Sequence, residues 1–310
     1  NADLIGLTRV SALADRVTAT RPFNIEASAV GSEVTFGSDD PLADSGELYI
    51  AGAVLSYEQI NMVTGNSTEG FELDWSGHLE TVNGSIVFDM GDNGLLKGTL
   101  IAGGADSDVE LHAKETLTIN GIIKADRNIE LTGGVDSGGA PTAAADPAQT
   151  SMLINPTAWL LTRNTGTEIT VEGLNQVVVN GAIGSQRDPD FENEADVLVK
   201  SFGEDVTVTR DHGWIESAGR IVIEADDVQL DGVIRQNDTS APDTGGTMAP
   251  EHYEVYIKAT NNLYLHGDVD ALGSILLDVT GDLEVLGTAE AGFIERFDYV
   301  NEQFDYDYDD

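Results

Sequence analysis

Leu117-Thr118-Ile119-Asn120-Gly121-Ile122-Ile123 decides the fold, together with its counterpart Val177-Val178-Val179-Asn180-Gly181-Ala182-Ile183. Each reads apolar, any, apolar, polar, glycine, any, apolar. Related copies run through Val228-Gln229-Leu230-Asp231-Gly232-Val233-Ile234, Leu263-Tyr264-Leu265-His266-Gly267-Asp268-Val269 and Leu283-Glu284-Val285-Leu286-Gly287-Thr288-Ala289, with Gly52, Gly84 and Gly98 in weaker versions of the frame. The intervals between the eight glycines follow no strict period, so the repeat is degenerate. Val, Ile, Leu and Thr at period two read as short strands, and no helix-period stretch of useful length accompanies them. The chain is expected to be all β.

Asn-Gly between alternating apolar residues is also the strongest short signal for a two-residue hairpin. The alternation separates the two readings. In a hairpin the residue after Gly faces the core, and four of the eight there are polar (Ser85, Thr99, Asp268 and Thr288). If the chain instead stays extended through Gly, the inward residues are Val54, Ile86, Leu100, Ile123, Ile183, Ile234, Val269 and Ala289, all apolar. The glycine then fills an inward slot where a side chain would be crowded or the strand must bend. Strands of this kind, repeating every twenty or so residues, predict a parallel β-solenoid in which each coil covers its neighbour's apolar face. Tandem antiparallel β-sandwich domains are the alternative.

Glu115-Thr116-Leu117-Thr118-Ile119-Asn120-Gly121-Ile122-Ile123-Lys124-Ala125 with Asn128-Ile129-Glu130-Leu131, and the run from Ala218 to Gly232, resemble the repeats of filamentous-haemagglutinin-type adhesins over roughly residues 80–134 and 166–290. The resemblance implies a right-handed parallel β-helix, secreted by a two-partner route and displayed as a surface fibre.

Three stretches rich in Gly, Pro and Asp interrupt the repeats and read as loop insertions: residues 135–165, 184–196 and 235–251. Insertions on a solenoid are expected on one face. The chain is read as a single solenoid segment over 1–310, the remainder allowing about 12 coils and a rod of about 60 Å. Residues 297–310 form an acidic-aromatic tail.

Charge narrows the function. Fifty-five acidic residues against 15 basic ones give a formal charge of -40. Such a field repels phosphate backbones and anionic lipid, so no nucleic-acid partner is expected, and no apolar run approaches the roughly 20 residues that insert in a bilayer. Only positions 97, 114, 124, 200 and 258 are Lys. So many carboxylates fold most readily where salt screens them or calcium binds, pointing to a saline or calcium-rich exterior. No cysteine is present, which excludes a disulfide framework or a thiolate nucleophile. The start at Asn1, without Met, suggests a processed product or a segment of a longer chain.

Candidate chemistry is sparse. Asp39-Asp40 and Asp226-Asp227 are adjacent acids, and His212-Gly213-Trp214-Ile215-Glu216 gathers a His, a Trp and a Glu. The Gly-His-Gly and Arg-Ile-Lys signatures of pectin-degrading β-helices are missing, and a surface this acidic yields adjacent pairs without a catalytic purpose. Histidines 78, 112, 212, 252 and 266 show no metal-ligand spacing. The tail Phe304-Asp305-Tyr306-Asp307-Tyr308-Asp309-Asp310, as a strand, would set rings on one side and carboxylates on the other, suiting either calcium or another subunit's sheet edge. Asn66-Ser67-Thr68, Asn83-Gly84-Ser85 and Asn237-Asp238-Thr239 match the glycan acceptor pattern.

The expectation is therefore a structural or adhesive segment of an extracellular or cell-surface protein, with no catalytic, cofactor-binding or metal residues assigned and calcium the one possible ion. Self-association into filaments and contact with cell-surface or matrix polysaccharide are the expected partnerships. A polysaccharide lyase or hydrolase of the β-helix type is the second reading, and a calcium-dependent carbohydrate-binding module the third.

Overall fold

The computed structural model describes residues 48–63, 70–134, 150–184, 195–237 and 253–298 continuously, plus the strands Leu4–Ile5, Arg9–Ala12, Val17–Thr18, Asn24–Ala27, Glu33–Gly37 and Gln303–Asp307. Every regular element among them is a strand. The strands form an 11-stranded and a 23-stranded sheet, and the larger one bends around a corner, so the coil has three faces.

The coil holding the deciding stretch shows the pattern. Leu117–Ile119 lies on the first face, Ile122–Ala125 on the second and Ile129–Gly133 on the third, after which Thr150–Ile154 returns to the first, one strand higher. Leu117 is in register with Gly94 below and Met152 above, and Ile123 with Leu100 and Leu160. Among the described strands pairing is parallel, apart from one antiparallel pair between Thr288–Asp298 and Gln303–Asp307. The chain is a parallel β-helix, and neighbouring segments do not run in opposite directions as a sandwich requires. Eleven strands on the first face set ten intervals of about 4.8 Å, a stack of about 48 Å.

Alternation produces the core. From Leu117 to Ala125 every odd position is buried, and the even ones are partly exposed. Stacking by register turns these positions into columns, such as Met62, Phe88, Leu111, Leu131, Val171, Val199, Ile223, Ile257 and Leu277 on the third face. All belong to a single apolar cluster running from Val34 to Val279.

The glycine of the repeat builds the corner between the first and second faces. Gly52, Gly77, Gly98, Gly121, Ala158, Gly181, Gly213, Gly232, Gly267 and Gly287 form one column, and every carbonyl up to that of Gly267 accepts from the coil above: Thr99 N to Gly77 O at 3.0 Å, Ile122 N to Gly98 O at 3.1 Å, Trp159 N to Gly121 O at 3.2 Å. A Cβ on Gly121 would overlap the carbonyl oxygen of Gly98, and one on Gly267 that of Gly232. The residue is glycine because the coil below crowds it; among the described residues only Gly104, Gly134, Gly166 and Gly184 adopt positive φ.

Three details differ from the sequence reading. Gly84 fits the frame by spacing but lies at the next corner, between His78–Thr81 and Ile86–Met90, while Gly77 and Gly213 hold the column positions. Extra turn residues disguise those two: Asp74-Trp75-Ser76 and Thr209 to His212 close on themselves through Gly77 N to Asp74 O at 2.8 Å and Gly213 N to Thr209 O at 3.0 Å. The second difference concerns the loop boundaries. Residues 135–149, 185–194 and 238–252 lie outside the described residues, but Thr150–Ile154 and Trp159–Thr162, within the expected 135–165 insertion, are coil strands, as is the end of Val233–Gln236. Pro156 and Asn155 signal only a four-residue corner, closed by Ala158 N to Asn155 O at 2.8 Å.

Third, the insertions leave from two corners rather than one face. Residues 134 and 150 flank the corner from the third face to the first, whereas 184/195 and 237/253 flank the corner from the second to the third, two coils apart. Gly134 and Gly184, with φ of 75° and 66°, are the last described residues before two of these breaks, in a backbone state that other residues rarely adopt.

Candidate binding face

The outer side of the second face carries the most distinctive side chains. Trp159 and Trp214 point outward from strands that sandwich Ala182, so two indoles stand two strands apart, about 9.6 Å, over a small residue. The outward column beside them runs Glu216, Arg235, Asp270, Glu290. Trp214 Nε1 donates to Glu216 Oε2 at 2.8 Å, and Asn237 Nδ2 donates to Glu216 Oε1 at 2.7 Å. The Arg235 guanidinium lies 5.2 Å from the centre of the Trp214 ring and pairs with Asp270 at 3.2 Å. Arg235, Gln236, Asn237, Asp270, Leu272 and Glu290 then border a cavity of about 470 Å3 at the corner of the last coils.

The cavity lies where the last coils pass from the second face to the third without a break in strand pairing. Asp268–Val279 runs through the second and third faces as one strand, and Thr288–Asp298 follows it with a register shift between Ala271 and Ser274. Glu254 holds the bend, its Oε2 accepting from Ser274 N at 2.7 Å and Ser274 Oγ at 2.6 Å. Small Ala271 and Ala291 continue the column of Ser217 and Gln236 and border the space beside Gln236.

The acids and histidines singled out by sequence are divided by the fold. Within His212 to Glu216, Gly213 is the corner glycine, Ile215 is in the core and His212 is exposed on the turn, so only Trp214 and Glu216 share a face. Both Glu216 oxygens are engaged as acceptors, which suits a positioned strut more than a general base. Asp226 accepts from Thr260 Oγ1 at 2.5 Å, and Asp227 from Asn261 Nδ2 at 2.8 Å and Asn262 N at 2.9 Å, bonds that tie one turn to the next. Asp39-Asp40, His252, Asn66-Ser67-Thr68 and Asp238-Thr239 lie outside the described residues. Asn83 is exposed on a turn.

His78 contacts Glu80 at 3.0 Å, His112 bonds Thr132 at 2.8 Å, and His266 lies between Asp231 and Glu284 at 3.2 and 3.3 Å. Among the described residues no group of three or more such side chains is arranged to hold a metal ion, and no helix is long and apolar enough to cross a membrane. The tail strand Gln303–Asp307 pairs antiparallel with Ile294–Asp298 of its own chain, so its backbone already occupies a sheet edge.

Sequence reasoning missed a charge ladder on the third face, where Glu172, Lys200, Glu224, Lys258 and Asp278 alternate in sign, one per coil. Lys200 reaches Glu224 at 3.8 Å. Elsewhere like charges stack, as in Glu110 over Glu130. Burial, then the neighbouring acids, pushes the Glu110 carboxyl above the usual range; burial does the same at Glu172, and burial followed by Asp227 at Asp205.

A carboxyl whose pKa is raised by folding binds protons more tightly in the folded state. Stability then increases as pH falls through the folded-state values toward the unfolded value near 4, and the penalty is complete above them. The urea midpoint is expected to be higher at about pH 5 than at about pH 7.5, and to rise with NaCl or CaCl2 at the higher pH as counterions screen the surface. Midpoints independent of both pH and salt would remove this account of the acidic surface.

Comparison of the chain with protein-family models, curated proteins and solved structures found no match.

Proposed function

We propose that this chain is a structural or adhesive segment of an extracellular or cell-surface protein, a stiff rod that presents side-chain columns to a polysaccharide surface. The observation that carries the reading is the uninterrupted stack: one apolar cluster extends from Val34 to Val279, and successive coils are joined by backbone ladders on all three faces. A solenoid of this kind holds outward residues at a fixed spacing of about 4.8 Å per coil, a geometry suited to multivalent contact with a repeating polymer. The two-tryptophan column adds flat apolar surface of the kind on which sugar rings pack. The resemblance of its repeats to filamentous-haemagglutinin-type adhesins favours the same role.

A panel of acidic and neutral polysaccharides tests the proposal by co-sedimentation and by chromatography of the products. Binding without shortening of the polymer is the expected result. Cleavage of any member would replace the adhesive role with a lyase or hydrolase, and the absence of binding across the panel would leave only the structural part.

A further inference from the structure

One coil forms a slot across the corner between the first and second faces. The coil below it carries the extra turn residues Pro156 and Thr157, and the coil above carries Arg210, Asp211 and His212, all exposed. The coil between them turns directly through Asn180-Gly181-Ala182, with no added residue. Beyond the corner the same low coil continues at Ala182, with Trp159 on the strand below and Trp214 on the strand above. Ala182 is 8% exposed, as the floor of a narrow slot should be.

Trp214 is held in place. Its Nε1 donates to Glu216 Oε2 at 2.8 Å, and the Arg235 guanidinium, from the next coil up, lies over the ring at 5.2 Å from its centre. The opposite ring face is the one turned toward the strand of Ala182. An indole fixed in advance lowers the ordering cost of binding against it. The strands bearing the two indoles are about 9.6 Å apart, two strand spacings. A single ring touching both indoles needs about 7–8 Å, two contacts of about 3.5–4.0 Å, whereas two stacked rings need about 11 Å. The slot admits one ring.

Its surroundings are uncharged. No charged residue occurs from Gly173 to Gln186, the stretch that forms the floor, or from Thr150 to Thr162, which forms the lower wall. On the upper wall Arg210 and Asp211 are opposite in sign, and both Glu216 oxygens are already accepting. In a chain of charge -40 this is the neutral ground on which an uncharged polymer meets no unpaired carboxylate, while an acidic one is repelled by the whole molecule. Hydrogen bonding is available at its edge: Asn180 Oδ1 accepts from Thr209 Oγ1, and Nδ2 has no partner among the described residues.

We propose that this slot takes one neutral pyranose ring of glucose configuration, part of a β-linked polysaccharide lying across the rod, with a ring face on each indole and a hydroxyl on Asn180 Nδ2. A ring flanked on both sides needs two apolar faces, which all-equatorial hydroxyls provide. An axial hydroxyl, as in mannose, meets an indole and loses its hydrogen bond to water. This names the ligand class of the adhesive reading and rests on it.

The test is calorimetric titration of the whole chain in about 0.15 M NaCl. The probes are cellotetraose, β-1,4-mannotetraose and tetragalacturonate. Cellotetraose is expected to bind saturably, mannotetraose about tenfold or more weaker, and tetragalacturonate weakest. Trp159→Ala and Trp214→Ala should each weaken cellotetraose by about tenfold or more, and Ala182→Val should do the same by filling the floor with both indoles present. Trp75→Ala should change nothing, although that indole is 60% exposed. Urea midpoints show which variants keep the fold, and in the Trp75→Phe chain the emission of the two remaining tryptophans should shift with cellotetraose along the same binding curve.

No saturable cellotetraose binding, or binding that survives Ala182→Val, overturns the assignment. Mannotetraose binding as tightly as cellotetraose overturns the two-sided contact, and loss of binding in Trp75→Ala moves the site elsewhere. If polymers in the panel above bind while this titration fails, the slot is wrong and the adhesive rod stands. If both fail, the adhesive role goes as well.

Discussion

Gly121→Val is expected to lower the unfolding free energy by about 3 kcal/mol or more, at or beyond the upper end of what overpacking usually costs. The added Cβ overlaps the carbonyl oxygen of Gly98, which is itself accepting from Ile122 N at 3.1 Å, so relief requires separating two coils at their ladder. Thr118→Val, three residues earlier on an outward position, should change stability by less than about 0.5 kcal/mol. Urea denaturation of the two variants checks the contrast. Similar small losses from both would mean that the corner column is not under the close packing described.

Phe88→Ala is the second large effect, a loss of about 3–5 kcal/mol from the empty space left in a core that cannot collapse around it. Phe88 is fully buried, stacked between Met62 and Leu111, with its ring edge-on to Phe71 at 5.2 Å between centroids. Because each coil contacts only its neighbours, the damage should remain local. Amide exchange is expected to quicken over residues 60–113 and to remain slow around Val228–Val279. Uniform acceleration along the chain would indicate one cooperative unit rather than a stack of nearest neighbours.

Much of this architecture is legible in the sequence because the inward columns are written at period two and a glycine marks one corner. Legibility ends where the frame is padded. Asp74-Trp75-Ser76 and Asn155-Pro156-Thr157 add turn residues that a two-residue template cannot absorb, so Gly77 and Ala158 escape notice and Gly84 takes a place it does not hold. A self-closing turn restores register whatever its length, and only the fold reveals that. The outward columns are harder still. Glu172, Lys200, Glu224 and Lys258 line up only once the chain between them has been assigned to coils, as do Trp159 and Trp214. The cavity was invisible to pattern reading because it forms only where register sets Gln236 beside Ala271 and Ala291, residues far apart in the chain.

Pulsed electron spin resonance between paired labels tests the central claim most directly, and a chain without cysteine permits it at chosen sites. Outward positions Glu72, Leu95, Thr118, Leu153, Val178, Thr207 and Gln229 lie on successive coils of the first face. With one label at Gln229, a partner at Thr118, Leu95 or Glu72 should be about 19, 24 or 29 Å away, an increase of about 4.8 Å per coil. Distances that fail to increase in this order, or that jump by more than one coil's rise between Thr118 and Leu95, would contradict a parallel stack and the rod built from it.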